Sequence, residues 1–160
     1  MSYYNSANYE EQGGENWVIG GNLAGGEANK GPVSNVRARV AVADITAGAG
    51  ATILPAVEGY AYRLVSATAI SVGGAAGAAT TVDIVGTLSA SARKLVAFAQ
   101  ASLTRSTVLR DGASGAAVLA DGASYTRNDV NTPITLGRTG NAITTATHID
   151  VNINYVLEKV

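Results

Sequence analysis

The chain has 160 residues and a mass of 16.1 kDa, which is the size of a single domain. Charged residues make up 14% of it and the formal net charge is −1, which argues against a disordered polyelectrolyte and against a nucleic-acid-binding protein. The lack of cysteine excludes a disulfide scaffold, cysteine-ligated zinc and a thiol nucleophile. No apolar stretch has the pattern of an export signal or the length of a membrane span, so we expect neither.

The first 33 residues differ in composition from the rest of the chain. They are rich in Asn, Glu and paired glycines and show neither the period of a strand nor that of a helix, which predicts an extended arm over residues 1–33 before a folded domain over residues 34–160. A disordered leader is the alternative that this composition leaves open. Aromatic side chains are enriched at binding hot spots, and a solvated leader has no physical use for them. We therefore predict that four aromatic residues of the arm bind a partner chain: Tyr3, Tyr4, Tyr9 and Trp17.

The arm and the domain carry weakly opposite charges. Residues 1–31 contain four glutamates and one lysine, Glu10, Glu11, Glu15, Glu27 and Lys30, a net charge of −3. Residues 33–160 then hold 10 basic and 8 acidic side chains, a net charge of +2. The arginines of the domain are scattered rather than gathered into a basic stripe, which favours contacts with protein over contacts with nucleic acid.

Short alternating segments separated by glycine turns begin after residue 33. The strands predicted from this pattern cover residues 35–45, 52–54, 60–72, 80–87, 107–110, 117–120, 124–127, 134–136 and 149–157. The last of them has the longest strict alternation, which predicts a central strand with Ile153 in the core. Residues 91–103 fit the spacing of a strand and that of a helix, and both alternatives stay open. Strands of this length and spacing predict an all-β antiparallel sandwich or barrel of about eight strands.

Few residues suggest chemistry. His148 is the only histidine, so a Ser-His-Asp site or a metal site would be built on it, with Asp150 on the same strand face to orient the ring. Asp44 and Asp83 each interrupt an apolar segment and are the candidates for a glycosidase pair. An ordinary solvated histidine, and aspartates on the polar side of their strands, account for the same residues. We therefore predict a protein that is not an enzyme, with no catalytic residue, cofactor or metal site.

Three segments resemble a known group of proteins. They are EGYAYRLVSATAISV at residues 58–72, TTVDIVGT at residues 80–87, and the closing segments GRTGNA and THIDVNINYV at residues 137–142 and 147–156. In strand rhythm and composition they resemble the jelly-roll structural proteins of tailed bacteriophages, above all the head decoration, or cement, proteins. This resemblance covers roughly residues 34–158.

The resemblance implies a jelly-roll β-sandwich that binds the outer face of the phage head as a dimer or trimer and links neighbouring major capsid proteins. Such a protein is made in the host cytoplasm, ends on the capsid exterior of the virion, and has neither nucleic acid nor membrane as a partner. Related jelly rolls occur in tail fibres and baseplates, so a receptor-binding or carbohydrate-binding domain is the alternative. Its candidate sugar platforms are Tyr60, Tyr62 and Tyr125.

Overall fold

The computed structural model describes residues 8–10, 17–19, 33–48, 50–118 and 126–160. Within these ranges the secondary structure is strand, apart from one short 3-10 helix at Val42–Asp44. The strands are β1 Asn8–Glu10, β2 Trp17–Ile19, β3 Ser34–Ala41, β4 Ala51–Leu54, β5 Tyr60–Val72, β6 Ala79–Leu88, β7 Ser91–Ala99, β8 Leu109–Arg110, β9 Ala116–Val118, β10 Ile134–Gly140 and β11 His148–Lys159. The predicted all-β class is confirmed.

Strands β3 to β11 form two antiparallel sheets that pack face to face. The five-stranded sheet has the order β4-β10-β6-β7-β9, and the four-stranded sheet has the order β3-β11-β5-β8. Strand β3 pairs with β11, β4 with β10, β5 with β8 and β6 with β7. The chain is thus one long antiparallel ribbon rolled into two sheets, which is the strand order of a jelly roll. Strand β9 adds a fifth strand beside β7.

The core between the sheets is built mainly from aliphatic side chains, together with the rings of Phe98 and Tyr62. Alternate residues of each strand point inward, as in other sandwiches. In the five-stranded sheet, residues 82–86 and 134–137 are also buried consecutively, so the middle of its outer face is covered. The largest fully buried side chains are Phe98, Ile45, Leu64, Ile84, Leu95, Leu103, Ile134, Leu136, Ile149, Ile153, Val82 and Val96. Most of these side chains are aliphatic, so the core depends on their close packing.

Strand β11 is central to the four-stranded sheet, as predicted. It lies between β3 and β5 and pairs with both along its length. Ile149 and Ile153 are fully buried, while Asp150 and Asn152 between them face outward. Tyr155, beyond a bulge in the pairing with β5, is half-buried and packs edge-on against Tyr62 with ring centroids 5.4 Å apart.

Some predicted boundaries differ from the observed ones. The strand predicted over residues 35–45 corresponds to β3, which ends at Ala41 because the chain continues into the 3-10 helix there. Residues 91–103 combine both alternatives, since β7 is followed by a helical turn in which the Leu103 amide donates to the Ala99 carbonyl at 3.1 Å. Residues 124–125 lie outside the described residues, as do residues 119–120, while Thr126 and Arg127 are not in a strand.

Strand β10 is longer than its sequence pattern indicates. It runs to Gly140, past Gly137, where the carbonyl of Gly48 lies 2.2 Å from the position that a Cβ atom would take. Any side chain at residue 137 would therefore collide with the loop before β4. A glycine breaks the alternating pattern in the sequence, yet the strand requires it for this close approach.

Candidate binding surface

Of the four aromatic residues predicted to bind a partner, the structure describes the backbone of two. Tyr3 and Tyr4 lie outside the described residues. Tyr9 lies in β1 and Trp17 in β2, which pair antiparallel with Tyr9 opposite Val18 and Glu10 opposite Trp17. The arm therefore contains a β-hairpin that the sequence analysis missed, because three-residue strands are too short to show a period. This hairpin is a two-stranded sheet of its own.

His148 is not part of a catalytic arrangement with Asp150. It is the first residue of β11, half-buried, with its Nδ1 atom 3.1 Å from the hydroxyl of Thr147. The Asp150 carboxylate instead accepts two hydrogen bonds from Arg39, from Nε and NH2, each at 2.7 Å. These bonds hold the pKa of Asp150 below its ordinary value, against a smaller opposing effect of desolvation. Asp150 is thus occupied by arginine and does not orient the histidine ring through a described hydrogen bond.

Asp44 and Asp83 have different environments. Asp44 is exposed at the end of the 3-10 helix. Asp83 is only 1% exposed, although it belongs to the outward side of β6. Its Oδ2 atom accepts a hydrogen bond from the Thr139 hydroxyl at 2.7 Å and lies 3.1 Å from the Lys94 ammonium group, which also donates to Thr139. The burial of Asp83 agrees with its position inside an apolar segment of the sequence. No sequence pattern indicated that its partners would be Lys94 and Thr139.

A cavity of about 370 Å³ lies over this cluster. It is lined by Asp83, Lys94 and Thr139, by the arginines Arg93 and Arg138, and by small or apolar residues. Asp83 is the one carboxylate among the described residues that line the cavity, so these residues do not supply the second carboxylate that a glycosidase needs. The guanidinium of Arg138 donates to the backbone carbonyls of Ile45 and Gly140, which holds it against the loop before β4. The cluster is best explained as an ion pair between the buried Asp83 and the partly exposed Lys94, which with Thr139 ties β6, β7 and β10 together.

Across the described ranges, no group of three or more His, Asp or Glu side chains is placed to hold a metal ion. The same ranges include no helix with the length and apolar character needed to cross a membrane.

The outward face of the four-stranded sheet is polar and ordered by cross-strand contacts. The Asn35 amide donates to the side-chain oxygens of Asn152 and Asn154, and Asn154 donates to the Ser66 hydroxyl at 2.8 Å. In the adjacent rows Arg37 lies opposite Asn152 and Arg39 lies opposite Asp150. A shallow groove of about 490 Å³ runs over this face. Arg37 is exposed and has no ion-pair partner among the residues that the structure describes.

Strand β3 is an edge of that sheet, and its backbone direction follows from the neighbouring strands. The Asp111 amide donates to the carbonyl of Ala67 at 3.0 Å, on the side of β5 that faces away from β11. Ala67 is paired with Ile153, and two residues paired in this way either both point their backbone groups at each other or both point them away. Because the Ala67 groups point away from β11, the N–H and C=O of Ile153 point to β3, where Ile153 pairs with Val36. Peptide groups alternate along an antiparallel strand. The free side of β3 faces away from β11, and no described strand lies along it. The residues whose N–H and C=O groups point to this free side are therefore Asn35, Arg37 and Arg39.

Comparison with known proteins adds no relative. Searches of protein-family models, of curated proteins and of solved structures find no significant match to this chain.

Proposed function

We propose that this protein is a head decoration protein of a tailed bacteriophage, which binds the outer surface of the capsid and links neighbouring major capsid subunits. The observation that carries the proposal is the strand order. The sheets β3-β11-β5-β8 and β4-β10-β6-β7 have the jelly-roll arrangement that the resemblance of residues 58–72, 80–87 and 137–156 implies. The proposal includes assembly as a dimer or trimer and a final location on the capsid exterior after synthesis in the host cytoplasm.

The environment of the candidate catalytic residues supports a structural role over an enzymatic one. Asp150 is paired with Arg39, and Asp83 is buried against Lys94 and Thr139. His148 contacts the hydroxyl of the neighbouring Thr147. Each of these groups has a contact that packing or cross-strand pairing explains. The proposal accordingly includes no catalytic step, cofactor or metal.

In this proposal the arm provides the attachment. An arm laid over a neighbouring chain gains contact area beyond the footprint of one compact domain. The predicted anchors are Tyr3, Tyr4, Tyr9 and Trp17, because large aromatic side chains contribute most of the binding energy at protein interfaces. Attachment through these aromatic residues persists at high salt. Salt ions screen interactions between exposed charges beyond about 8 Å at physiological ionic strength, whereas they do not weaken the burial of apolar surface.

The test uses purified heads that lack this protein. Full-length protein is compared with a variant in which the four aromatic residues are replaced by alanine, and occupancy on the heads is measured over a range of concentrations. Truncating an anchor costs about 2 kcal/mol or more, so losing even two of the four lowers the affinity roughly a thousandfold. The matched control replaces the four arm glutamates, Glu10, Glu11, Glu15 and Glu27, by glutamine, and we expect its occupancy at high salt to equal that of the wild type.

Two results would contradict parts of this proposal. Equal occupancy of the alanine variant and the wild type would show that the arm is a passive leader. A wild-type protein that does not bind heads but binds host-surface glycans would favour the tail-fibre or baseplate alternative. The structure argues against that alternative at Tyr62, which is buried, donates its hydroxyl to the Pro55 carbonyl at 2.6 Å, and has its pKa raised by burial. Tyr125 lies outside the described residues.

A further inference from the structure

The edge strand β3 carries two exposed arginines, Arg37 and Arg39, but it has neither a proline nor a bulge, and no described strand pairs with its outer side. It has eight residues, contains no proline, and pairs with β11 without a register shift. Natural sheets usually interrupt or cover such an edge, because its unpaired peptide groups accept a strand from elsewhere. The backbone groups of Asn35, Arg37 and Arg39 face the free side of β3. A strand added there would form a regular ladder with them.

The core is also incompletely covered beneath β3. Val36 and Ala38 point toward the core but are only half-buried. Ile153 and Val151, which lie opposite them on β11, are 0% and 2% exposed. An additional strand beside β3 would cover the open side of Val36 and Ala38, so apolar burial would favour its addition.

The hairpin β1–β2 is a pair of strands that would be stabilised by a further strand beside it. It consists of two three-residue strands that form a separate sheet, and an isolated two-stranded hairpin is at best marginally stable in water. It belongs to the segment with a net charge of −3, whereas β3 presents Arg37 and Arg39 outward. Opposite charges on neighbouring strands favour their pairing. Hairpin and edge are thus complementary in backbone groups and in charge.

We propose that the β1–β2 hairpin of one copy adds to the free edge of β3 in a second copy. The inference deepens the proposed function, because it names the contact that joins copies of the protein to one another. Residues 20–33 connect the hairpin to β3, and 14 residues span at most about 48 Å when extended. Backbone hydrogen bonds and the burial of Val36 and Ala38 supply the affinity, while the charges select the acidic hairpin as the added strand.

Pairing of β3 with β3 of a second copy is disfavoured by its own charges. Two antiparallel registers pair the most residues of β3 with β3 of a second copy. The register centred on Arg37 places Arg37 opposite Arg37 of the second copy, and the register centred on Ala38 places Arg37 opposite Arg39. Like charges directly opposite each other on neighbouring strands are destabilising. The edge therefore favours an acidic strand over another β3.

The experiment is a complementation test in solution, with full-length protein and without phage heads. In the edge variant, Arg37→Pro removes an N–H that faces the free side, so no hydrogen bond to β11 is lost. In the hairpin variant, Tyr9→Pro disrupts β1. Sedimentation equilibrium of the wild type should show concentration-dependent association, and each variant alone should associate at least about tenfold more weakly. An equimolar mixture should form a one-to-one heterodimer, because one intact hairpin and one intact edge remain.

Each other outcome overturns the proposal in a distinct way. A wild type that stays monomeric shows that the hairpin does not join copies, including the case in which it folds back on its own chain. A hairpin variant that still associates shows that β3 pairs with itself, and a mixture that stays monomeric shows that hairpin and edge are not partners. Wild-type protein that occupies heads yet is monomeric in solution would refute this contact and leave the proposed binding to the capsid standing.

A charge variant keeps the test valid if Arg37→Pro does not fold. Arg37→Glu should weaken association by a similar factor, because it places a carboxylate on the edge that meets the acidic hairpin. The matched control is Arg110→Glu in β8, at the opposite edge of the same sheet. It makes the same charge change on an exposed arginine and should leave association unchanged. Equal effects of the two substitutions would show that net charge, not the β3 edge, controls association.

Discussion

Replacing Ile153 by alanine should destabilise the domain strongly, because this side chain lies in the middle of the central strand. Ile153 is fully buried, and its backbone is paired with Val36 on one side and Ala67 on the other. The substitution removes three carbon groups from the core. At about 0.8 kcal/mol for each, the loss of apolar burial is about 2.4 kcal/mol. The cavity left between two sheets that cannot fully collapse raises the cost to about 3–4 kcal/mol.

The assay is reversible denaturation by urea, followed by circular dichroism, with the free energy of unfolding taken from linear extrapolation. The control is Thr68→Ala in β5, an outward-facing and partly exposed position of the same sheet, which should cost less than about 1 kcal/mol. Ile153→Asp should leave no folded domain, since it buries a carboxylate with no partner. A soluble Ile153→Asp protein that melts cooperatively, or an alanine variant as stable as the control, would refute the assigned register and the central place of β11.

Three further substitutions test other parts of the structure. Lys94→Met leaves the buried Asp83 carboxylate without its cation and should lower the free energy of unfolding, measured in urea, by about 1–2 kcal/mol. The cost is smaller than for a fully buried pair because Lys94 is 39% exposed, and a gain in stability would contradict the role of this ion pair. Ala90→Gly should raise the free energy of unfolding by about 0.5–1 kcal/mol, since residue 90 has a φ of 58° in the β6–β7 turn; a lower melting temperature would contradict it. His148→Ala should cost about 0.5 kcal/mol and leave head binding unchanged, and loss of a hydrolytic activity present in the wild type would overturn the structural interpretation.

The turn between β6 and β7 explains why the second of these substitutions is informative. Ser89 and Ala90 both adopt left-handed backbone conformations without being glycine. The carboxylate of Asp129 accepts hydrogen bonds from both of their amides, at 3.0 and 2.7 Å. These two bonds offset the strain of the turn, so glycine at residue 90 relieves the strain while the bonds remain.

Local sequence patterns were enough to predict strands β5 and β11. Strand β5 has the predicted bounds, and the alternation correctly indicated that Ile149, Val151 and Ile153 are buried. Beyond them the alternation is less reliable, since Tyr155 is half-buried and Val156 is buried. The reason for the alternation is local, because each strand of the four-stranded sheet has one face toward the core and one toward solvent. Successive side chains must then alternate between apolar and polar, and the sequence records this alternation directly.

Features that depend on distant residues were decided by the tertiary structure. The Asp83 carboxylate is bound by Thr139, which is 56 residues away, so no spacing in the sequence relates the two. Gly137 pairs with Asp83 in the sheet, and the loop at Gly48 passes so close over it that only glycine fits there. Likewise, the alternation in β3 predicts a strand but does not predict that the strand lies at the edge of a sheet. Its place at the edge follows from the sheet order, in which β11 is the one described strand beside it. Side-chain alternation reflects burial at each position, whereas pairing depends on contacts that form only when remote segments meet.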